Sequence, residues 1–443
     1  MAGIFAVVAL LDKLLIPSVR WYLRQRFQRA LERLNSKLQL EIQPFKLMQR
    51  RVLIDRLTHD PVIMQAVAAE AAQSGQPAEV VAAKAQRYAR EIVPHFSAFA
   101  YFGFAARVAR WASQALYRVR VGLLDEPGMA KVTPDSTVVF VMNHRSNMDY
   151  VLVTYLAAER SALSYAVGEW ARVWPLQGFI RSMGAYFIRR KSRNPLYRCV
   201  LARYVQMATE GGVAQAIFPE GGLSRDGHLG GAKLGLLSYI VRGFDPEGPR
   251  DVVFVPVGLN YDRVLEDRLL LTNSGQGKPK YKTGPRAVMR FVSHQIWLRI
   301  TGKYHRFGYA CVSFGSPVSL KKFLAQTDGG LDEKITVLGD SLMREIGKVV
   351  PVLPVSLIAA IMLDAGKLSK IGVKGEAHRR LKAYTLHDVY SHIPREDEDY
   401  AVDVGLRILE MRHILIEEDG VYRVNSENRD VLEYYANAIA HLG

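Results

Sequence analysis

The amino-acid sequence predicts an α/β protein in which a central layered region is flanked by helical regions at both ends of the chain. Its middle part alternates short β-branched runs with helix-like segments, which is typical of a sheet covered by helices. The flanking parts instead repeat apolar residues at helical spacing. At 443 residues, the chain is long enough for two or three domains. We expect domains at 1–125, 126–345 and 346–443.

The arginine-rich start of the chain has two interpretations. Leu23, Phe27 and Leu31 recur at helical spacing among many arginines. Such a cationic helix can lie in a lipid interface or pack as an ordinary surface helix, and the apolar leader 1–16 slightly favours the membrane. The apolar start 1–11, which Asp12 and Lys13 interrupt, and the apolar run 349–363 are both shorter than the roughly 18 residues that span a bilayer, so we expect no transmembrane helix.

Capping and turn signals delimit further elements outside the central region. Asp60-Pro61 is an N-cap followed by a first-turn proline, so a helix is expected from there toward Gln73 and another over 78–92. The last hundred residues should be mainly helical. They should also contain a hairpin over 413–424, because Asp419-Gly420 favours a tight turn.

The central region supplies the candidate strands. Each is short, rich in β-branched residues and bounded by turn residues. Their ranges are 137–142, 185–189, 213–218, 252–259 and 309–314. Because ligand sites in α/β sheets form beyond the carboxyl ends of strands, the residues that follow these strands are the candidates for chemistry.

The charge and the cysteine content restrict the class of protein. The formal net charge is +16 and the pI is about 9.7, so the chain should bind anionic partners such as nucleic acid, phosphorylated metabolites or an acidic lipid surface. Cys199 and Cys311 are the only cysteines, which excludes a disulfide framework or zinc cluster and favours a reducing compartment.

His144 and Asp149 are the first candidates for chemistry. They belong to the string Asn-His-Arg-Ser-Asn-Met-Asp at 143–149, directly after a predicted strand. A histidine base needs one neutral nitrogen toward the substrate and a partner on the other, which Asp149 can supply from the first turn of a following helix. The alternative is structural, because Ser146-x-x-Asp149 is close to a capping box in which Asp149 only caps that helix.

Two arginines close the next candidate strand. Arg189 and Arg190 follow Gly-Ala-Tyr-Phe-Ile and would point to opposite faces of a strand. One of them could bind a phosphate in a pocket while the other faces solvent. The alternative is a solvated basic edge, since Lys191 and Arg193 continue the run.

A glycine-rich loop follows the third candidate strand. Glu220 could accept hydrogen bonds from substrate hydroxyls, and the paired Gly221 and Gly222 allow backbone to approach a ligand closely. Ser224 and Arg225 come next, and Arg225 could meet a phosphate. The alternative is a tight turn with a surface arginine, although a carboxylate at a strand end needs a partner.

Two further motifs are weaker. Pro256 interrupts a predicted strand, which is typical of an edge strand, a bulge or a wall against which something packs. The string Leu-Gly-Asp-Ser-Leu at 338–342 matches the nucleophile motif of a family of lipid-cleaving serine hydrolases, but no Asp-x-x-His follows it. Helical spacing of Ile335, Leu338 and Leu342 predicts a core face there instead. No metal-ligand spacing occurs, so no metal site is expected.

Taken together and in this order, the motifs resemble the four sequence blocks of the glycerolipid acyltransferase family. Arg189-Arg190 and Ser224-Arg225, with their flanking residues, are most similar to bacterial membrane-bound glycerol-3-phosphate 1-O-acyltransferases and their dihydroxyacetone-phosphate relatives. The resemblance is strong over 143–257. The chain departs from the long bacterial members by being much shorter, by Asn147 where a second histidine is common, and by Pro219 where valine is more usual.

The resemblance implies an acyltransferase-type α/β layer domain over 126–345 and direct acyl transfer. His144 would act as general base toward a primary hydroxyl, and Asp149 would hold its ring. An oxyanion would be stabilised by backbone amides near the helix N-terminus after His144. The remaining residues would bind the acceptor: Arg189 or Arg190 with Arg225 at the phosphate, Glu220 at the hydroxyls, and Gly221, Gly222, Ser224 and Pro256 around them.

The implied reaction transfers a fatty acyl group from acyl-CoA or acylated acyl carrier protein to sn-glycerol 3-phosphate, giving lysophosphatidate for phospholipid synthesis. It requires no cofactor. The basic charge fits a phosphorylated acceptor, an anionic acyl carrier and an anionic membrane surface. We therefore expect peripheral or monotopic attachment to the cytoplasmic face of the inner (plasma) membrane, through the N-terminal helices and the aromatic segment 99–111.

Three alternatives compete with this interpretation. The acceptor could be lysophosphatidate or dihydroxyacetone phosphate. A basic nucleic-acid-binding protein is disfavoured because the basic residues are scattered and no aromatic-plus-basic RNA-binding signature occurs, so we expect no nucleic-acid partner. The third alternative is a membrane-surface scaffold with an inactive acyltransferase core.

Overall fold

A mixed β-sheet covered by helices on both faces forms the centre of the protein. The structure is a computed structural model that describes residues 43–157, 163–168, 176–189, 192–272 and 306–443, together with positions 293, 297, 300 and 301. The leader 1–16, the segment 23–31 that was predicted to be helical, and Arg190 lie outside the described residues.

The elements alternate along the central part of the chain, as the sequence predicts. The helices are α1 (Pro44–Leu47), α2 (Arg50–Thr58), α3 (Pro61–Ser74), α4 (Ala78–Ile92), α5 (Ala106–Leu116, continuing a π-helical stretch Phe99–Ala105), α6 (Glu126–Ala130), α7 (Met148–Ala157), α8 (Leu176–Ser182), α9 (Pro195–Glu210), α10 (Gly235–Arg242), α11 (Asp267–Thr272), α12 (Leu320–Gln326), α13 (Leu331–Val349), α14 (Pro354–Ala365), α15 (Lys370–Leu386), α16 (Glu398–Met411) and α17 (Arg429–Ala436). The strands are β1 (Arg118–Leu124), β2 (Thr137–Met142), β3 (Ser164–Val167), β4 (Tyr186–Phe187), β5 (Gln215–Ile217), β6 (Val252–Tyr261), β7 (Tyr309–Phe314), β8 (Val318–Ser319), β9 (Lys367–Ser369), β10 (Leu415–Glu418) and β11 (Val421–Val424).

The main sheet has the strand order β1-β7-β6-β2-β5-β3-β4, with β8 also pairing β6. The strands from β6 to β4 run parallel, whereas β7 is antiparallel to β6 and β1 is parallel to β7. The carboxyl ends of β2 and β6 therefore lie at the same edge of the sheet as the amino ends of β7 and β1. This mainly parallel sheet with helices around it confirms the predicted fold class.

Strand β2 shows how the two faces of the sheet are covered. Val139 and Val141 face one core, whereas Val138, Phe140 and Met142 face the other. Helices α2, α3, α4, α9, α10 and α13 supply the first core, and α14, α16 and α17 supply the second. Because both faces are buried, the strand is continuously apolar. The N-terminal helices thus cover one face and the C-terminal region covers the other.

Local signals outside the sheet place elements as expected. The Asp60 side chain accepts a hydrogen bond from the amide of Val62, and α3 begins at Pro61. The hairpin of β10 and β11 turns at Asp419 and Gly420, with φ of 52° and 75°, which is the pattern of a type I′ turn. The core face predicted in α13 is also confirmed, because Leu338 is fully buried.

The expectation that 1–125 is purely helical is wrong at its end. Arg118 to Leu124 form β1, which pairs in parallel with β7 and belongs to the sheet of the central region. Arg118 and Arg120 alternate with Val119 and Val121, which is a strand pattern, but their charge made the segment resemble the end of a basic helix. The short β3 was also missed. The domain limits themselves stay a prediction.

Pro256 lies in the middle of β6, which is an interior strand, so the edge-strand alternative is wrong. On the side away from β2, β6 pairs with β8 at 253–254 and with β7 at 257–261. Pro256 falls between these two pairings, and its carbonyl accepts from the amide of Gly315 in the connection. A proline is tolerated there because no regular partner strand needs its missing N–H.

Among the described residues, no helix combines the length and the apolar composition that crossing a bilayer requires.

Candidate active site

A buried histidine–carboxylate pair lies just beyond the end of β2. Nδ1 of His144 is 2.8 Å from Oδ2 of Asp149, and the two side chains are 2% and 0% exposed. A turn separates β2 from α7, and Asp149 is the second residue of that helix. The other ring nitrogen of His144, Nε2, makes no hydrogen bond to any described residue. The pair therefore has the arrangement that a general base needs.

Asp149 also caps the turn, so both interpretations of the motif apply to one carboxylate. Oδ2 accepts from the backbone amides of Arg145 (2.8 Å) and Ser146 (3.0 Å), and Oδ1 accepts from the hydroxyl of Tyr261 (2.6 Å). These donors satisfy the oxygens of a carboxylate that is shielded from water. The capping contacts fix the position from which Asp149 holds the imidazole of His144.

Tyr261 and Glu266 belong to this site although the sequence did not single them out. Tyr261 ends β6, the neighbour of β2, so its position at the shared sheet edge was the available signal. Glu266 accepts from the Ser146 hydroxyl (2.9 Å) and the Asn147 amide (2.6 Å). Burial raises the pKa of Glu266, and these two donors act against that shift.

The expected oxyanion donors are already engaged. The amides of residues 145 and 146 donate to Asp149, that of Asn147 donates to Glu266, and that of Met148 donates to the Ser146 hydroxyl. The Asp149 amide donates to the Ser146 carbonyl. The expectation that these amides form an oxyanion hole is therefore wrong, because they hold the turn itself together.

The loop after β5 packs directly on His144. Oε1 of Glu220 accepts from the backbone amide of His144 (2.8 Å), and Oε2 accepts from the amide of Gly230 (3.1 Å). The amide of Ser224 donates to the carbonyl of His144 (2.9 Å), and the ring of Phe218 stacks on the imidazole at 4.1 Å between centroids. Burial raises the pKa of Glu220, and the two amides oppose this shift. Glu220 thus joins two loops, and its expected contact with substrate stays a prediction.

The rest of the loop is held by its own side chains. The Ser224 hydroxyl donates to the His228 carbonyl (2.8 Å) and accepts from the Gly227 amide (3.0 Å). Gly221 has φ of 64°, a conformation that favours glycine. Arg225, three residues after Gly222 in this loop, is exposed and makes no hydrogen bond or ion pair within the described part of the chain. Its guanidinium is therefore accessible to an anionic ligand.

Arg189 is paired within the protein. Its Nε and Nη2 donate to the two carboxylate oxygens of Glu91 in α4, at 2.8 and 2.6 Å. Its backbone amide donates to the hydroxyl of Tyr197 at 2.9 Å. This bidentate geometry occupies the fork that would otherwise meet a phosphate. Which of Arg189 and Arg190 binds phosphate stays a prediction, since Arg190 lies outside the described residues.

Two neighbours of His144 in sequence lock the turn. The side-chain amide of Asn143 donates to the Leu259 carbonyl (2.9 Å) and its carbonyl accepts from the Leu259 amide (2.8 Å), which continues the β2–β6 pairing beyond Met142. Arg145 is buried, donates through Nη1 to the Gly227 carbonyl and lies 4.8 Å from the Tyr434 ring centroid. The Tyr434 hydroxyl donates to the Arg145 carbonyl (3.3 Å).

The C-terminal region therefore contacts the site directly. A Cβ on Gly227, which has φ of 91°, would lie 2.0 Å from the Tyr434 carbonyl oxygen. The Asn437 side chain also donates to the Asp226 carbonyl (2.8 Å). Nothing in the sequence linked these distant positions. Within the described residues, no three His, Cys, Asp or Glu side chains are arranged to hold a metal ion.

Family models match two parts of the chain. A model described as "Acyltransferase" matches residues 125–260, and one described as "Glycerol-3-phosphate acyltransferase C-terminal region" matches 296–442. The first contains the paired His144 and Asp149 and the loop after β5. The second contains Tyr434 and the rest of the C-terminal region. The resemblance predicted from the four motifs is therefore confirmed.

Individual curated proteins are also similar to this chain. A glycerol-3-phosphate acyltransferase of Pseudomonas entomophila (strain L48) is 28% identical over 420 residues, which cover 89% of this chain and 49% of that protein. One of Ectopseudomonas mendocina (strain ymp) is 30% identical over 339 residues, covering 72% and 39%. This chain spans about half the length of the curated relatives it matches. The crystal structure of the 1-acyl-sn-glycerophosphate (LPA) acyltransferase of Thermotoga maritima is 17% identical, with a TM-score of 0.33, covering 67% of this chain and 98% of that one.

Proposed function

We propose that this chain, which carries an acyltransferase family domain followed by a glycerol-3-phosphate acyltransferase C-terminal region, transfers a fatty acyl group from a thioester to the primary hydroxyl of sn-glycerol 3-phosphate. The product is 1-acyl-glycerol 3-phosphate, which places the reaction at the first step of phospholipid synthesis. The acyl donor is acyl-CoA or acylated acyl carrier protein.

The observation that carries the proposal is the orientation of His144. Asp149 binds Nδ1, Phe218 stacks on the ring, and Glu220 and Ser224 hold its backbone on both sides. Only Nε2 is left to act on a substrate. A ring fixed in this way keeps one tautomer and one direction for proton transfer.

The mechanism follows from that geometry. Nε2 of His144 takes the proton of the acceptor hydroxyl as the oxygen attacks the thioester carbonyl. Asp149 stabilises the imidazolium that forms. When the tetrahedral intermediate collapses, the C–S bond breaks and the imidazolium returns the proton to the departing thiolate. The reaction balances without a cofactor.

The accessible guanidinium of Arg225 supports a phosphate-binding role for the loop after β5. It lies one residue beyond Ser224, whose amide bonds the His144 carbonyl, so a phosphate at Arg225 would bring the acceptor close to the base. A charge-assisted bond of this type both orients and binds an anionic acceptor.

The test measures the thiol that the purified chain releases from long-chain acyl-CoA, or from acylated acyl carrier protein, with and without glycerol 3-phosphate. His144→Ala should lower turnover by about 10²- to 10⁴-fold because a general base is lost. His378→Ala is a matched control, since His378 also bonds a carboxylate, Glu398 at 2.7 Å, but is exposed on α15. It should retain full activity.

Activity of His144→Ala within tenfold of the wild type would contradict the base assignment. Parallel assays with lysophosphatidate and dihydroxyacetone phosphate would identify the acceptor. Acyl transfer to either of these in place of glycerol 3-phosphate would overturn the proposed acceptor while leaving the chemistry intact.

We also propose that the protein attaches to the cytoplasmic face of the inner membrane as a peripheral or monotopic protein. Phe104, Val108 and Trp111 are exposed at i, i+4 and i+7 spacing along one helix, with Trp111 at 63% exposure. Arg107 and Arg110, on the same helix, are also exposed. An apolar stripe beside cations is the composition that binds an anionic lipid surface.

Vesicle flotation tests this attachment. Vesicles of phosphatidylcholine and phosphatidylglycerol should carry the intact chain, and Phe104→Ser with Trp111→Ser should lower its partition by about tenfold or more, since each large apolar side chain contributes about 1.5–3 kcal/mol on burial. Ile371→Ser, at the 83% exposed Ile371 in the C-terminal region, is the control. Equal flotation of all three proteins would refute a role for this helix.

A further inference from the structure

A cavity lined by arginines opens at the same edge of the sheet as the candidate active site. It has a volume of about 300 Å³ and lies where β7 and β1 begin, beside the end of β6 and against α16. Its cationic lining consists of Arg118, Arg263, Arg306, Arg407 and Arg412. Its apolar lining consists of Phe307, Val404, Ile408 and Met411.

Little negative charge compensates these five arginines. Within the described ranges, one of the five, Arg412, forms an ion pair with a carboxylate, that of Asp267 at 2.5 Å. The other four form none there. Arg306 and Arg407 are exposed and make no hydrogen bond or ion pair to a described residue. The preceding segment 273–305 contains seven lysines and arginines and no aspartate or glutamate, so it cannot supply a counter-charge.

The arginines inside the cavity are held in place by aromatic groups. The guanidinium of Arg263 lies 4.1 Å from the ring centroid of Phe307, and Arg412 donates to the Tyr435 hydroxyl at 2.9 Å. Burial, followed by the nearby charge of Arg412, lowers the pKa of Arg263. Like charges gathered in a partly desolvated cavity repel each other, and an anion between them removes that repulsion.

The chemistry of the lining defines the ligand. Guanidinium forks match the oxygens of phosphate groups, and several forks in one cavity favour more than one phosphate charge. The wall of Val404, Ile408 and Met411 requires an organic part with apolar or flat surface. A volume of about 300 Å³ accommodates a small organic molecule.

We propose that this arginine cavity is a second anion site, separate from Arg225, which binds an organic ligand carrying at least two negative charges on phosphate. The nucleotide end of coenzyme A and the phosphate end of a lysophospholipid both have this chemistry. The choice of these two candidates rests on the proposed function, whereas the anion site itself rests on the arginine lining.

The cavity is connected to the histidine–carboxylate pair through two tyrosines. The Tyr117 hydroxyl donates to the Arg263 carbonyl at 2.7 Å, and its ring packs on Tyr261 at 5.4 Å between centroids. Tyr261 in turn donates to Asp149. A ligand bound to Arg263 would therefore lie two residues along the chain from Tyr261, the residue that bonds Asp149.

Isothermal titration calorimetry on the intact chain tests the proposal, with coenzyme A, monomeric lysophosphatidate and inorganic phosphate as probes. Arg407→Gln is the principal variant because Arg407 is exposed and its replacement leaves the core intact; Arg263→Gln is the second. Each should weaken binding of an organic phosphate by tenfold or more, which corresponds to about 1.4 kcal/mol. Arg344→Gln, which removes the same charge from an exposed position of α13, should change affinity less than twofold.

Each outcome decides the question. Weakened binding of coenzyme A alone supports a nucleotide ligand, and weakened binding of lysophosphatidate alone supports a lipid ligand. Unchanged affinity of coenzyme A and lysophosphatidate in both variants overturns the proposal, as does the absence of binding of either organic phosphate by the wild type. His144→Ala should bind as the wild type does, so loss of acyl transfer and loss of this site are distinguishable.

Discussion

Tyr261→Phe tests whether the hydrogen bonds around Asp149 position the candidate base. The substitution removes one hydroxyl from a fully buried side chain and keeps its ring, which packs on Tyr117. That hydroxyl lies 2.6 Å from Oδ1 of Asp149 and is its only donor on that oxygen among the described residues. The other donors to Asp149, from His144, Arg145 and Ser146, all reach Oδ2.

The magnitude follows from the type of bond. A hydrogen bond to a charged group contributes about 1.5–3 kcal/mol, and each 1.36 kcal/mol is a factor of ten in rate. If Asp149 needs this donor to hold the imidazole during proton transfer, kcat should fall by about 10- to 100-fold. KM for glycerol 3-phosphate should stay within about twofold, because the Tyr261 hydroxyl bonds Asp149 and makes no hydrogen bond to Arg225, the proposed phosphate ligand.

The assay is acceptor-dependent thiol release, with kcat and KM measured separately. Tyr186→Phe is the matched control, since Tyr186 is buried in the same sheet but its hydroxyl has no hydrogen-bond partner among the described residues. It should keep full activity. In an Asp149→Ala background, Tyr261→Phe should have no further effect. A kcat for Tyr261→Phe within twofold of the wild type would refute the positioning role.

Two further substitutions test the structure around the site. Gly227→Ala should destabilise the fold by about 2–4 kcal/mol in urea unfolding, because φ is 91° and the new Cβ would collide with the Tyr434 carbonyl; Gly75→Ala, at φ of 65° in open space, should cost only about 1 kcal/mol, and equal losses would contradict this. Asp262 is buried, and desolvation raises its pKa to about 7 from 3.8, so the folded state holds a proton between these values that the unfolded state has released. The free energy of unfolding should therefore fall as the pH rises from about 4 to about 7 and level off above that, and Asp262→Asn should remove this component. Identical pH slopes for the two proteins would contradict it.

Much of the fold could be predicted because its signals are local. The apolar run 137–142 predicted β2, and Asp60-Pro61 and Asp419-Gly420 predicted a helix start and a hairpin turn. In β1 the local pattern was ambiguous, because Arg118 and Arg120 are compatible both with a strand and with the end of a basic helix. The interior position of Pro256 could not be predicted, because it depends on where the partner of β6 changes from β8 to β7. That change is a property of three strands together.

The site was predictable only as far as its residues lie in one segment of sequence. His144 and Asp149 are five positions apart, and their pairing depends on a strand followed by a turn and a helix. Tyr261, Glu266 and Tyr434 lie more than a hundred residues away and carry no motif of their own. Their roles come from the sheet order, which places the end of β6 beside the end of β2, and from packing of the C-terminal region.

The C-terminal region acts on the site through the loops and not through the base itself. Tyr434 bonds the Arg145 carbonyl and covers its guanidinium, and Asn437 bonds the Asp226 carbonyl in the loop after β5. These two loops also bond each other through Glu220 and Ser224. Because each loop is tied both to the other and to α17, a shift of the C-terminal region would move the loops together. This coupling gives a physical reason why the acyltransferase domain and the C-terminal region occur in one chain: the second forms part of the wall that holds His144 in the orientation its proposed chemistry requires.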